Sequence, residues 1–283
     1  MLSLGFGLAA ALCWALHDLL VRKLTHQSAM LPMLLTVLAA GSLALALPTL
    51  LIGGWERMTG PALFLAVLAG GLYVAASGGL YQALNRAPVR IVSPVLGSFP
   101  MLSLGIAAAQ GREVAAVEWL GVISIVAGIA WVALTSRDGG GTLRGSLAAA
   151  LLWAIAGAAG FAATFAVSQE AARLGATFPS MLITRVTAGF CTLALGLAFR
   201  SIRPAPATLP FLVGMGCLDA LALGLVTASA ALPHPEYAAV SSALFGVLTI
   251  LLAWRILGER VAPLQWLGIV AVFGGIAVLS LQG

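Results

Sequence analysis

The chain has 283 residues, 61% of them hydrophobic and 8% charged, with a net charge of +5 and a mean hydropathy of +1.08. A soluble domain carries roughly a quarter charged residues, so no water-facing surface can be assembled from this composition, and soluble enzymes are excluded. The basic balance needs no nucleic-acid partner, because cationic groups beside anionic lipid account for it.

Apolar runs of roughly 20 residues, each long enough to cross a hydrocarbon core of ~30 Å, follow one another with short breaks. The first, 2–21, has the position of a signal peptide. A second run follows within ten residues and no small-residue cleavage site stands between them, so a first transmembrane helix is predicted. Further spans are predicted over 31–53, 62–84, 89–109, 117–136, 143–171, 178–199, 209–232, 237–257 and 264–281. Backbone amides at membrane depth need internal partners, and runs this continuous supply them as helix rather than as barrel strands. The expected fold class is an all-α membrane protein with ten transmembrane helices.

Buried polar groups are costly in a bilayer and are candidates for function. In the first span, His17 and Asp18 either contact solute or relay a proton, or anchor the helix with Arg22. In the third, Tyr73, Ser77 and Tyr81 recur every four residues and continue to Asn85, one helix face suited to a cavity wall. Gly71, Ala75 and Gly79 form a neighbouring small-residue stripe for helix packing. Pro94 and Pro100 interrupt the fourth span, where Ser93 and Ser98, like Ser241 and Ser242 in the ninth, satisfy carbonyls or contact solute. Phe161 and Phe165, one turn apart in the sixth span, are read as packed or lipid-facing, with a place at the cavity as the lesser alternative.

Arg185 either holds a carboxylate bidentately or snorkels to the interface. Asp219, at mid-span, binds an ammonium group, carries a coupling proton, pairs with a cation such as Arg185, or stays protonated. Cys13, Cys191 and Cys217 all fall inside spans without paired ligands and are read as small buried residues, so neither a disulfide nor a metal site is expected. The run 233–237, Pro-His-Pro-Glu-Tyr, is read as a rigid external loop.

An internal repeat organises the chain. Residues 8–15, LAAALCWA, recur as LAAALLWA at 147–154, identical at seven of eight positions. Trp119-Leu-Gly and Gly128-Ile-Ala recur as Trp266-Leu-Gly and Gly275-Ile-Ala. Two halves of five helices, 1–136 and 145–283, are therefore expected, joined by a polar glycine-rich linker at 137–144. An odd number of helices forces the second half into the opposite orientation. Such inverted repeats place a solute site between the halves, where rocking gives alternating access.

The chain resembles the drug/metabolite transporter superfamily, specifically the ten-helix EamA-type permeases. The resemblance is carried by Trp14-Ala and Trp153-Ala, by Gly111-Arg-Glu113 and Gly258-Glu-Arg260, and by the Trp-Leu-Gly starts that follow. It implies that helices one, three, four, six, eight and nine surround a central cavity, which would bring Trp14 and Trp153 to its wall, with helices five and ten packed together outside. It also implies export of amino acids or related metabolites from the bacterial inner membrane by a protein working without cofactors. The family's helix-two Arg is matched by Arg185 in the second half, and the first half has no counterpart in Leu34-Leu-Thr-Val.

The solute-contact set expected from these readings is Trp14, His17, Tyr73, Ser77, Tyr81, Ser98, Trp153, Asp219 and Ser242. His17 and Asp219 are also coupling candidates. The aromatic hydroxyls and tryptophans favour aromatic or hydrophobic amino acids; efflux of lipophilic cations is the alternative, weakened by the absence of a Glu from the first helix. An intramembrane enzyme would need a nucleophile with a base, or a metal cluster, and the scattered His and Cys offer neither. Basic residues count ten on one side against three on the other, which predicts a cytoplasmic loop after the first helix and termini outside. Ten helices suffice to enclose a pathway, so a functional monomer is expected.

Overall fold

The computed structural model describes residues 2–98, 101, 102, 105, 108, 109, 111, 113–135, 143–228, 241, 242 and 244–282. Among these, ten α-helices run in sequence: α1 (Leu2–Leu24), α2 (Met30–Ile52), α3 (Gly60–Arg86), α4 (Val89–Gly97), α5 (Ala116–Thr135), α6 (Leu147–Leu174), α7 (Thr177–Ala198), α8 (Leu209–Ala228), α9 (Phe245–Ile256) and α10 (Pro263–Gln282). Six of them, α1, α2, α3, α6, α7 and α8, are long and apolar enough to cross a membrane. Linker residues 137–142, Pro100 and the run 229–240, which includes the predicted external loop, lie outside the described residues.

Local chemistry sets the helix ends. Thr59 caps α3 by accepting from Ala62 N at 3.3 Å, and Ser146 caps α6 by accepting from Ala149 N at 3.1 Å, each satisfying an orphan amide. Within the helices, Thr36, Thr49, Thr164 and Thr249 donate to the carbonyl four residues back, which removes a bare hydroxyl from an apolar setting.

Packing is set by close approach at small residues. The α5 and α10 helices run antiparallel in contact: a side chain added at Gly121 would meet Gly275 O at 3.2 Å, and one added at Gly128 would meet Gly268 O at 2.6 Å. Gly70 of α3 seats Thr184 and Thr187 of α7, and in the same manner Gly216 of α8 seats Val37 and Ala40 of α2. Likewise α6 packs on α3 and α4, while α1 packs on α8 and α9. On α3 the positions that approach neighbouring helices are Gly70, Ala76 and Gly79, so of the expected Gly71, Ala75 and Gly79 stripe Gly79 takes part, against Gly157 of α6. Gly71 and Ala75 are exposed.

The turns gather at two ends. At one end Ala205 N donates to Ser28 Oγ at 3.3 Å and Arg144 N to Arg86 O at 2.8 Å. Most of the basic residues lie here, and the imidazole of His26 is held below its ordinary pKa by partial burial, then by Arg144 and Arg22. At the other end Thr59 Oγ1 donates to Leu174 O at 3.1 Å. Of the three cysteines only Cys13 is buried; Cys217 is exposed on the outer face of α8, a surface an apolar thiol occupies without cost in lipid.

Candidate functional site

The expected polar residues of four helices converge on one carboxylate. Asp219, at mid-length in α8, is 7% exposed. Its Oδ1 accepts the Trp14 indole N–H of α1 at 2.9 Å, and its Oδ2 accepts the Tyr73 hydroxyl of α3 at 3.2 Å. The same Oδ2 accepts from Arg185 Nη2 of α7. Of the roles open to Asp219 in the sequence, pairing with Arg185 is the one this geometry displays. A carboxylate taken out of water needs its charge balanced and its lone pairs filled, and these three donors do both.

Arg185 is 3% exposed, so it does not snorkel. Its guanidinium lies 6.0 Å from the Tyr73 ring centroid, a cation–π distance. Its Nε and Nη1 have no acceptor among the described residues. The room for this group comes from Gly41 of α2: a side chain there would fall 2.6 Å from Arg185 Nη1 and 3.0 Å from Gly216 O. Sequence reasoning missed Gly41, since nothing in its apolar surroundings sets it apart from other helix glycines.

Aromatic rings wall the centre. Phe161 of α6 stands edge-on to Tyr73 with centroids 6.0 Å apart, and Phe245 of α9 stands edge-on to Trp14 at 6.2 Å. Phe245 was not foreseen, because an isolated Phe in an apolar run carries no signal of its own.

A turn from Trp14 on α1, His17 Nδ1 lies 3.0 Å from Asp18 Oδ1, both side chains being buried. The His17 ring is edge-on to Tyr81 at 6.5 Å. Ser77 is buried between Tyr73 and Tyr81 on the same face of α3. The Tyr81 hydroxyl and Asn85 Oδ1 have no hydrogen-bond partner among the described residues. The predicted stripe thus runs from the Asp219 centre toward the basic end.

The remaining candidates fall elsewhere. Trp153, the repeat mate of Trp14, is 41% exposed, with the Arg86 guanidinium 5.7 Å from its ring. Ser98 Oγ donates locally to Val95 O at 2.6 Å, and Ser242 is buried. Among the described residues no three His, Cys, Asp or Glu side chains come together as a metal-holding group.

The model of the EamA-like transporter family matches residues 1–134 and again 148–281. No curated protein sequence matches. A solved structure titled only "Crystal structure of protein" is similar over 99% of this chain and 96% of its own, at 20% identity with a TM-score of 0.65, which shows a shared fold. The chain therefore belongs to the EamA-like transporter family, and it is a multi-pass integral membrane protein that transports small molecules.

Proposed function

We propose that this EamA-like transporter exports small neutral metabolites, foremost amino acids with aromatic or other hydrophobic side chains, by alternating access of two inverted five-helix halves. Movement is by facilitated diffusion down an outward gradient. The observation that carries the reading is the Asp219–Arg185 pair. A solute that bears one charge of each sign can exchange with this pair: its carboxylate takes the Arg185 nitrogens that lack acceptors among the described residues, and its ammonium takes Asp219. A cation alone would leave the Arg185 charge unbalanced in a low dielectric, and an anion alone would leave Asp219 so.

Trp14, Tyr73, Phe161 and Phe245 supply the apolar wall against which an aromatic side chain packs. The inverted arrangement is supported by the exchange of partners between halves, α6 on α3 matching α1 on α8, and by the antiparallel crossing of α5 and α10. The charge asymmetry supports a cytoplasmic basic end, and the chain works as a monomer in the bacterial inner membrane.

A second reading rests on the buried His17–Asp18 pair beside the centre, which offers a proton relay for gradient-driven efflux of lipophilic cations. Proteoliposome uptake across labelled aromatic, branched and small amino acids plus a quaternary ammonium, with and without a proton gradient, separates the two. Saturable amino-acid uptake that ignores the gradient supports the first reading. Gradient-driven cation uptake with no amino-acid signal overturns it.

A further inference from the structure

A second buried ion pair joins the two halves away from the Asp219 centre. Arg22, in the last turn of α1, donates through Nε to Glu259 Oε1 at 2.9 Å and through Nη1 to Leu84 O of α3 at 2.6 Å. Glu259, in the turn after α9, also accepts Val89 N, at the start of α4, on Oε2 at 2.8 Å. The carboxylate thus caps a helix N-terminus while the guanidinium fills a helix C-terminus, each the favourable end of the peptide dipole. Arg22 is 6% exposed and Glu259 8%. Through these bonds the second half's α9–α10 turn is tied to α1, α3 and α4 of the first.

Among the described residues the pair has no equivalent at the opposite end. The repeat mate of Arg22 is Phe161, 139 residues on by the register that joins residues 8–15 to 147–154, so the opposite end has no counterpart of this cation. Among the described residues there, the halves meet through neutral groups, Thr59 on Leu174 O and Gly175 against Ala62 and Met58. Thr25, whose Oγ1 donates to Arg22 O at 3.2 Å, lines with Ser28, Met30, Tyr81, Gln82 and Asn85 a cleft of about 120 Å³. Its inner wall is Tyr81, which packs on His17 and so borders the centre.

We propose that Arg22 and Glu259 form the gate at the basic end, closing the route between this cleft and the Asp219 centre and parting once in each transport cycle. The idea rests on the alternating-access reading above. An ion pair is suited to gating, since in the closed state each charge is balanced and hydrogen-bonded, and on parting both are rehydrated, so neither state leaves a bare charge in the interior. Removal of one member leaves the other buried alone, which favours the open state.

The test needs no solute, so a failure of the amino-acid panel leaves it standing. In a background with Cys13, Cys191 and Cys217 replaced by Ser, Ser77→Cys reports access between cleft and centre to a membrane-impermeant thiol reagent. Arg22→Gln and Glu259→Gln are expected to raise labelling from the basic side about fivefold or more, as a population shift of about 1 kcal/mol would. The double variant should label no faster than either single one. Glu259→Gln keeps the side chain's shape and an acceptor for Val89, which makes it the variant least prone to misfold. Labelling at the parent rate in a monodisperse Glu259→Gln protein would overturn the gate.

Discussion

Tyr73 and Asp219 stand 146 residues apart and donate and accept the same hydrogen bond at 3.2 Å. Gly70 and Gly216, each three residues earlier, make matching contacts with α7 and α2, so Tyr73 and Asp219 occupy corresponding places in the two halves. Where a two-fold arrangement would repeat one residue, the chain carries a phenol donor and a carboxylate acceptor. The centre is built on that difference, with Arg185 as a third member that the first half replaces with an apolar side chain.

Charge balance at the centre is testable by a double-mutant cycle. Asp219→Asn leaves the Arg185 guanidinium buried without its counter-ion, and Arg185→Gln does the converse. Each single change is expected to cost about 3–5 kcal/mol. The double variant should be more stable than either single one and still inactive. Thermal unfolding in detergent reads the first part, and proteoliposome uptake reads the second.

Tyr73→Phe keeps the ring beside Phe161 and Arg185 and removes only the donor to Asp219. A hydrogen bond to a charged group contributes about 1.5–3 kcal/mol. Uptake is expected to show KM raised about tenfold or more, with the Tm shifted far less than in Asp219→Asn. A Tm loss without a KM change would make the phenol a packing element.

Gly41→Ala places a methyl group 2.6 Å from Arg185 Nη1. The guanidinium must move, and Gly216 O at 3.0 Å limits how far α2 can yield. Transport is expected to fall about tenfold or more, because misplacement of a site group by about 1 Å is costly. Gly71→Ala, where an added side chain meets nothing within 4 Å, should transport at the parent rate.

At the α5–α10 crossing the consequence is stability alone. Gly128→Ala sets a methyl 2.6 Å from Gly268 O and 2.7 Å from Val272 Cγ2. Overpacking of this kind costs about 1–3 kcal/mol. A lowered Tm with unchanged KM is expected, since both helices lie away from the Asp219 cluster.

Much of this architecture was legible in the sequence because a bilayer permits few alternatives. Apolar runs had to be helices, and a repeated LAAALxWA segment had to mark a second half. The Tyr73, Ser77 and Tyr81 face was legible too, since four-residue spacing fixes a shared face whatever the neighbours are. The side to which a face turns was not. Of the Gly71, Ala75 and Gly79 stripe Gly79 alone meets a neighbour, and Trp153 faces outward although its motif copies that of Trp14, whose indole reaches Asp219. Periodicity speaks of one helix, whereas these outcomes depend on how two helices cross. The pairing of Arg185 with Asp219 was one option among four for the same reason. The Arg22–Glu259 contact, 237 residues apart, had no local signal at all.

The most direct test of the central claim is saturable proteoliposome uptake of labelled phenylalanine, challenged with analogues lacking one charge, phenethylamine without the carboxylate and 3-phenylpropionate without the ammonium. The Asp219–Arg185 centre predicts that unlabelled phenylalanine competes and both analogues fail, with uptake abolished in Asp219→Asn and in Arg185→Gln. Equal competition by phenethylamine, or uptake that survives both substitutions, would contradict it.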